Sequence, residues 1–436
     1  MNEPSETSLA ARLRSGPLGK LGPGLITGAA DDDPGGIASY SQAGAQFGFH
    51  LLWTMLLTFP LMVAVQLISA RIGRVTGAGL AANMCRVMPR QVVVGLIALL
   101  FAANVINIGA DLAAMGEAAE LVLGSRNPWA GHGFTVFFAL FSLTLQVLVP
   151  YRRYARILTV LTFSLLAYVG VLFLLTLDWA AIGLGLIGVD AALTPAAATV
   201  IVAVFGTTIS PYLFFWQSAQ EVEEIDHDDA QHALREAPSE APSEAPAALA
   251  GIRLDTIAGM FVSNAIAVAI MIATAATLHQ AGVTHIDTAA QAAAALRPVA
   301  GDFAFALFAL GIIGTGLLAV PVLAGSVAYA VGETQGWRTG LDNTASQARG
   351  FYAVIGAAML LGIGIDFSPI DPFQALYWSA VLNGLIAVPM MAAMMFVARH
   401  DCMGAFRPGP VLTGLGWLST AVMAAAASAM IWFLLV

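Results

Sequence analysis

Charged residues are scarce in this chain of 436 residues, where Asp, Glu, Lys and Arg together make up 10%. A soluble domain has about 25%. Because 58% of the residues are hydrophobic, the protein must face lipid as well as its own core. The scarcity of charge therefore excludes an ordinary soluble domain. The net charge of −9 argues against a nucleic-acid partner and is compatible with handling cations.

Cysteines and catalytic motifs are scarce as well. Cys85 and Cys402 are the two cysteines, and both flank predicted cytoplasmic ends of helices, so no disulfide framework is expected. The sequence has no nucleophile–base pair, no phosphate-binding loop and no HExxH motif, which predicts neither an enzyme nor a cofactor. Residues 1–20 lack the apolar run and cleavage site of a signal peptide, and we interpret them as a short cytoplasmic tail.

Long apolar runs dominate the rest of the chain. Eleven of them are close to the ~20 residues that cross a bilayer as a helix. This pattern predicts an all-α integral membrane protein, with a loop at 71–91 and a second loop that contains Asp178 and Asp190. We number the predicted transmembrane helices as spans 1 to 11: 21–48, 51–70, 92–121, 133–150, 157–177, 195–220, 254–280, 303–331, 350–365, 373–398 and 412–435.

The positive charges predict an orientation. With the N-terminus in the cytoplasm, sixteen of the 18 Lys and Arg residues lie on the cytoplasmic side, and Arg126 and Arg297 lie outside. Positive charge is concentrated on the cytoplasmic side of membrane proteins. We therefore expect a multi-pass protein of a cell membrane, a bacterial inner membrane, with its C-terminus outside. The bilayer is the expected partner, and no protein partner is predicted.

The segment 221–250 differs from its surroundings, because it carries a tandem EAPS repeat. Alanine, proline, serine and glutamate without large apolar groups cannot bury enough surface to fold. The segment is therefore predicted to be a disordered cytoplasmic loop. The alternative is a metal-sensing role for four residues in it, His227, Asp228, Asp229 and His232.

Span 1 contains three consecutive acids, Asp31, Asp32 and Asp33, followed by Pro34 and the pair Gly35-Gly36. A carboxylate at mid-bilayer depth costs on the order of 3 kcal/mol on insertion scales. Proline lacks a backbone N–H and glycine tolerates unusual dihedral angles, so the helix should break at Asp33-Pro34. A broken helix exposes backbone carbonyls next to the acids, and this combination suits a desolvated cation.

Span 6 is interrupted in a similar way, at Ser210-Pro211 after the Gly206-Thr207-Thr208 run. Spans 1 and 6 each begin a set of five helices. Because five is odd, the two sets enter the membrane from opposite sides, as inverted repeats with a substrate site between the broken helices. The predicted repeats are 21–177 and 195–398, with 412–436 as an additional helix. The alternative is two ordinary proline kinks.

These residues resemble a known family. The run GPGLITGAADDDPGGIASYSQAGAQFGF resembles the first-helix signature of the NRAMP divalent-metal transporters, and ISPYLFFWQS resembles their sixth-helix Met-Pro-His motif. The resemblance covers nearly the whole chain outside 221–250. It implies eleven helices in the fold of amino-acid/sodium symporters. It also implies import of divalent cations by alternating access, generally with protons, through a site between broken helices 1 and 6.

The resemblance also implies site residues, although several differ from the family pattern. Asp33 matches the metal-binding aspartate, Gly36 replaces the family's asparagine, and Ser210 replaces its methionine. Thr207 matches the position of a carbonyl ligand, and Asn383 that of a helix-10 glutamine. These five are the predicted metal-site residues.

The replacements favour hard cations. Without the soft methionine sulfur the site offers only oxygen ligands, and the absent asparagine side chain is expected to widen it. Such a site suits Mg²⁺, which dehydrates reluctantly, and the pattern resembles the NRAMP-related magnesium transporters. We therefore expect Mn²⁺ and/or Mg²⁺ as the substrate, and no cofactor. An amino-acid or other organic-solute symporter on the same fold is the alternative, although three acids beside the break would repel a substrate carboxylate.

Proton coupling is expected to be weak. The family's helix-6 histidine falls on Tyr212, and its helix-3 acid cluster is reduced to Asp111. Asn104, Asn107 and Asp111 share one face of span 3. Together with Asp32 and Tyr212 they form a candidate ion pathway, and the alternative is hydrogen bonding between helices. We expect uptake to be driven mainly by the membrane potential and the metal gradient.

Overall fold

The structure is a computed structural model that describes residues 22–124, 129–149, 163–188, 194–227, 233–234 and 241–435. Over these ranges it contains helices and no strands. We label the fifteen longer helices α1 Pro23–Asp31, α2 Pro34–Phe47, α3 Trp53–Thr76, α4 Leu80–Val87, α5 Arg90–Leu123, α6 Ala130–Leu148, α7 Leu166–Leu174, α8 Trp179–Ile187, α9 Pro195–Thr208, α10 Pro211–His227, α11 Ala241–Thr274, α12 Ala304–Gln335, α13 Arg349–Asp366, α14 Pro372–Arg399 and α15 Pro410–Leu435.

Every predicted span is represented among these helices. Within the described ranges, nine helical stretches are long and apolar enough to cross a membrane, and they correspond to all spans except 1 and 5. Span 1 is divided into α1 and α2, of 9 and 14 residues. Of span 5 the structure describes α7 and the turn before it, while 157–162 lie outside the described residues. The predicted all-α membrane fold is confirmed.

Two of the predicted loops contain helices instead. In 71–91, α3 continues to Thr76 and α4 follows it. In the loop that begins at Asp178, the Asp178 carboxylate accepts hydrogen bonds from the backbone N–H groups of Ala180 and Ala181, both at 3.0 Å, and so caps α8. An aspartate at this position satisfies N–H groups that have no partner within the helix.

The prediction of a disordered loop over 221–250 is wrong at both ends. Helix α10 continues to His227, and α11 begins at Ala241. One turn apart on α10, Gln217 donates to Glu221 at 3.0 Å, and Glu221 is buried, so packing extends the helix. At the other end, the alanine-rich sequence has high helix propensity. Residues 228–232 and 235–240, including three of the four candidate metal-sensing residues, lie outside the described part of the chain.

The two broken helices lie side by side and antiparallel. Span 1 consists of α1 and α2, and span 6 consists of α9 and α10. The first half of span 1, α1, contacts the second half of span 6, α10, and α2 contacts α9. Both breaks therefore lie at the same depth, as inverted repeats require. Around them, α11 packs on α1 and α2, α14 packs on α2 and α9, and α5 packs on α12, α13 and α14.

Glycines allow α1 to lie directly against the backbone of α11. A Cβ atom added to Gly259 would lie 2.3 Å from the carbonyl oxygen of Gly24, and one added to Gly28 would lie 2.4 Å from the carbonyl carbon of Gly259. These distances leave no room for a methyl group on either helix. Close backbone approach through small residues is the usual way in which helices associate in membranes.

Gly259→Ala is therefore expected to destabilise the protein by about 1–3 kcal/mol, because α1 must move away from α11 to make room. Thermal unfolding in detergent measures the effect. Gly251→Ala is the matched control on the same helix, since an added Cβ there meets no atom within 4 Å. Equal melting temperatures for the two variants would contradict the proposed contact.

Candidate metal site

Asp33 is located where the first helix breaks. Helix α1 ends at Asp31, and Asp32 leaves the helical region with φ −83° and ψ 46°. Asp33 is extended, with φ −66° and ψ 168°, and its Oδ1 accepts the backbone N–H of Gly36 at 2.6 Å. Pro34 begins α2, where its missing N–H needs no partner. The Asp33 carboxylate thus caps α2 at the positive end of the helix dipole.

The second break, predicted at Ser210-Pro211, is observed between Thr208 and Pro211. Ile209 has φ −121° and ψ 55°, and α10 begins at Pro211. The Ser210 hydroxyl lies 2.5 Å from the carbonyl oxygen of Gly206 and 3.0 Å from that of Thr207. Two of the predicted metal-site residues, Thr207 and Ser210, therefore contact each other at this break.

Helices from both repeats surround Asp33. Its Oδ2 accepts hydrogen bonds from the Tyr212 hydroxyl at 3.0 Å and from Asn107 Nδ2 at 3.4 Å. Asn107 is itself held by Ser379 of α14, whose hydroxyl donates to Asn107 Oδ1 at 2.7 Å. The Tyr212 hydroxyl also lies 3.2 Å from the carbonyl oxygen of Ala30. With 2% of its surface exposed, Asp33 is enclosed on every side.

Gly36 faces the second break. A Cβ atom added to it would lie 3.2 Å from Thr207 Oγ1 and 3.3 Å from Tyr40 Cε2. Spans 1 and 6 thus meet at Gly36 and Thr207. The expectation that Gly36 widens the site is wrong in this conformation, because Thr207 and Tyr40 occupy the space next to it.

Asp31 and Asp32 face a different helix from Asp33. The hydroxyl of Ser263 on α11 lies 2.6 Å from Asp31 Oδ2 and 3.0 Å from Asp32 Oδ1. Asp31 and Asp32 are 0% and 2% exposed. Of the three acids, Asp33 is the one that the structure places among residues of the second break.

The polar face of span 3 has two different roles. Asn107 reaches Asp33, whereas Asn104 Nδ2 donates to the Leu323 carbonyl and to Ser326 Oγ, both at 2.9 Å, and so joins α5 to α12. Asp111 is fully buried, and neither of its carboxylate oxygens has a hydrogen-bond partner among the described residues. Asn104 thus makes the interhelical hydrogen bonds that were the alternative to an ion pathway.

The remaining predicted ligand, Asn383, is buried on α14. Its Oδ1 has no hydrogen-bond partner in the described ranges. The next residue, Gly384, packs against the second broken helix, since a Cβ atom added to Gly206 would lie 2.4 Å from its backbone nitrogen. Asn383 is therefore next to the contact between α14 and the turn that precedes Thr207.

Sequence reasoning missed Ser263 and Ser379. Each is a small polar residue in a largely apolar helix, and serine is common in such helices because it packs closely. Their partners are more than 200 residues away along the chain. No local motif could have identified them.

Comparison with known proteins decides the family. The family model described as "Natural resistance-associated macrophage protein-like" matches residues 24–433. The chain belongs to the NRAMP family. Similar relatives include a protein named divalent metal cation transporter MntH from Deinococcus radiodurans, 27% identical over 427 residues, which are 95% of this chain and 90% of the relative. A protein of the same name from Yersinia pestis is 29% identical over 333 residues, 72% of this chain and 73% of the relative.

Solved structures agree with the NRAMP fold. The manganese transporter of Eremococcus coleocola, in complex with an aromatic bis-isothiourea substituted compound, aligns with a TM-score of 0.69 at 19% identity, over 98% of this chain and 88% of that one. The nucleobase-cation-symport transporter Mhp1 aligns with a TM-score of 0.56 at 16% identity, over 95% of this chain and 92% of that one. NRAMP membership makes the chain a membrane-embedded divalent metal cation transporter and not an enzyme.

Ser263→Ala is expected to destabilise the protein by more than the ~1 kcal/mol typical of one hydrogen bond, because it leaves two buried carboxylates without the hydroxyl that they share. Ser419→Ala is the control, since the buried Ser419 hydroxyl donates at 3.2 Å to the uncharged carbonyl of Leu61. Chemical or thermal unfolding of both variants in detergent provides the comparison. A smaller effect at Ser263 than at Ser419 would show that Asp31 and Asp32 do not depend on it.

Proposed function

We propose that this NRAMP protein imports Mn²⁺ and/or Mg²⁺ by alternating access through a site between its two broken helices. The observation that supports this proposal is the position of Asp33, a buried carboxylate at one break beside Thr207 and Tyr212 of the other. The proposed ligands are Asp33, Thr207, Ser210 and Asn383, with Gly36 contributing backbone atoms alone.

The chemistry of the surrounding groups favours hard cations. The neutral oxygen atoms around Asp33 and the two breaks are the hydroxyls of Tyr212, Thr207 and Ser210. Among the described residues, no three His, Cys, Asp or Glu side chains are grouped so that they could hold a metal ion. One carboxylate with neutral oxygen donors suits Mg²⁺ and Mn²⁺ better than soft ions. The Eremococcus relative, a manganese transporter, supports Mn²⁺, and the hydroxyl of Ser210 in place of a sulfur ligand supports Mg²⁺.

Alternating access requires α1 to move. Asp33 is buried, so no ion can reach it until neighbouring helices separate. At the far end of α1 from the break, Asp255 Oδ2 of α11 accepts the backbone N–H of Gly24 at 2.6 Å. Thr27 Oγ1 donates to Gln217 of α10 at 2.5 Å. We propose that these contacts hold the pathway closed on the arginine-rich side, which we place in the cytoplasm of a bacterium.

The first test is Mn²⁺ uptake into proteoliposomes, with Asp33→Asn compared with the unmodified protein. Asparagine keeps an oxygen that can cap α2 but removes the charge that binds the metal. Uptake is expected to fall to background while the melting temperature stays close to that of the unmodified protein. Asp33→Ala is the control for capping, because it should also destabilise the protein by about 1 kcal/mol. Normal uptake by Asp33→Asn would contradict the proposed site.

The second test concerns selectivity. Mg²⁺ is expected to compete with Mn²⁺ in the unmodified protein, and Ser210→Met should weaken that competition and let Cd²⁺ compete, because a thioether prefers soft ions. Ser210→Ala is the control for loss of the hydroxyl. If Cd²⁺ alone competes before any substitution, the oxygen-only site is wrong. Met115 is then the soft donor to test, because its sulfur is a neighbour of Pro34 at the first break. A Cβ atom added to Gly316 would lie 2.4 Å from Met115 Sδ and 3.4 Å from Pro34 Cγ.

The third test concerns the driving force. Tyr212 provides a hydroxyl where the family has a histidine, so we propose that uptake follows the membrane potential and the metal gradient. A pH-sensitive dye inside proteoliposomes should report no acidification during Mn²⁺ uptake. An inside-negative potential should increase the rate. Metal-driven acidification would contradict the proposal, and Asp111 would be the first residue to replace.

A further inference from the structure

An apolar groove lies on the protein surface between α3, α11 and α15. Its volume is about 510 Å³. The walls are formed mainly by aliphatic side chains and proline, among them Pro60, Leu67, Ile257 and Leu415. Two arginines, Arg71 of α3 and Arg253 of α11, also line it.

These arginines lack a counter-charge. Within the described residues, neither Arg71 nor Arg253 makes a hydrogen bond or an ion pair, whereas Arg407 pairs with Asp401. The nearest acid to Arg253 along the chain, Asp255, is engaged by the backbone N–H of Gly24. Two positive charges therefore border an apolar groove, and no anion from the described part of the chain is bound to either.

The groove has the depth of one membrane leaflet. Arg71 and Pro60 are eleven residues apart on α3, which is about 16 Å along a helix with a rise of 1.5 Å per residue. Half of a hydrocarbon core of about 30 Å is about 15 Å. Arg71 lies in the last two turns of α3, and the groove extends from it towards the middle of the membrane.

We propose that this groove binds an anionic phospholipid. Its phosphate would lie between Arg71 and Arg253, and an acyl chain would follow the apolar wall to Pro60. Basic pockets between transmembrane helices are the usual sites for acidic headgroups, and arginine binds phosphate with two parallel hydrogen bonds. A free phosphate ion would use the arginines and leave the apolar wall exposed, so the lipid explains both features.

The position of the groove connects the lipid to transport. Arg253 is two residues from Asp255, which holds the N-terminus of α1, and the groove joins α11 to α3. A bound lipid would thus stabilise the helix against which α1 packs. This consequence rests on the proposed function, whereas lipid binding itself does not and can be tested without transport.

The experiment measures lipid retained by the purified full chain, using native mass spectrometry with dioleoylphosphatidylglycerol and dioleoylphosphatidylcholine. The unmodified protein should retain phosphatidylglycerol in preference to phosphatidylcholine. Arg71→Gln and Arg253→Gln should each lower the affinity for phosphatidylglycerol about fivefold, the ratio that corresponds to ~1 kcal/mol per basic residue. Arg399→Gln is the matched control, because Arg399 is exposed and does not line the groove.

A second variant separates the lipid from simple charge attraction. Leu415→Trp fills the groove while both arginines remain, and it should also lower phosphatidylglycerol retention. Inorganic phosphate should not raise the melting temperature of the unmodified protein. The proposal is overturned if the two arginine variants retain as much phosphatidylglycerol as Arg399→Gln, if Leu415→Trp has no effect, or if phosphate stabilises as well as the lipid. Arg253→Gln changes an exposed side chain, so it should fold in any case.

Discussion

The burial of three consecutive carboxylates at the break of a membrane helix is the constraint on which the rest of this structure depends. An unpaired charge at that depth costs several kcal/mol, so each acid needs partners that only neighbouring helices can provide. Asp33 is stabilised by the N-terminus of α2, by Tyr212 and by Asn107, while Asp31 and Asp32 share Ser263. Helices α5, α10 and α11 therefore have to meet at one break.

The break and the packing around it depend on each other. Asp33 can cap a helix only because a new helix begins at Pro34. The Asp33 side chain can be enclosed only because the facing helices come close enough to it. Gly259 permits this approach on one side and Gly206 on the other, where added Cβ atoms would lie 2.3 and 2.1 Å from backbone oxygens. The same tight contacts mean that an ion reaches the site only through movement of helices, which is why we connect the fold to alternating access.

On one fold, the donor atoms of a metal site decide which ions that site favours. The NRAMP architecture is kept here, with both broken helices in place, while the positions that resemble the family's methionine and asparagine carry Ser210 and Gly36. Oxygen donors around a single carboxylate suit an ion that retains water, whereas sulfur would favour softer ions. The space beside Gly36 is nevertheless filled by Thr207 and Tyr40, so a hydrated ion would need these side chains to move.

The sequence by itself determined the membrane architecture, both breaks and the position of Asp33 at the first of them, because hydrophobic length, proline and adjacent acids act locally. Tertiary structure decided which hydrogen-bond partners the buried polar side chains have. Asn104 and Asn107 lie one turn apart on the same helix, yet one joins α12 and the other reaches Asp33. Helical periodicity places both on one face, but which helix each one meets depends on packing between segments more than 70 residues apart. For the same reason Ser263 could not be identified as the partner of two acids until α11 was placed against α1.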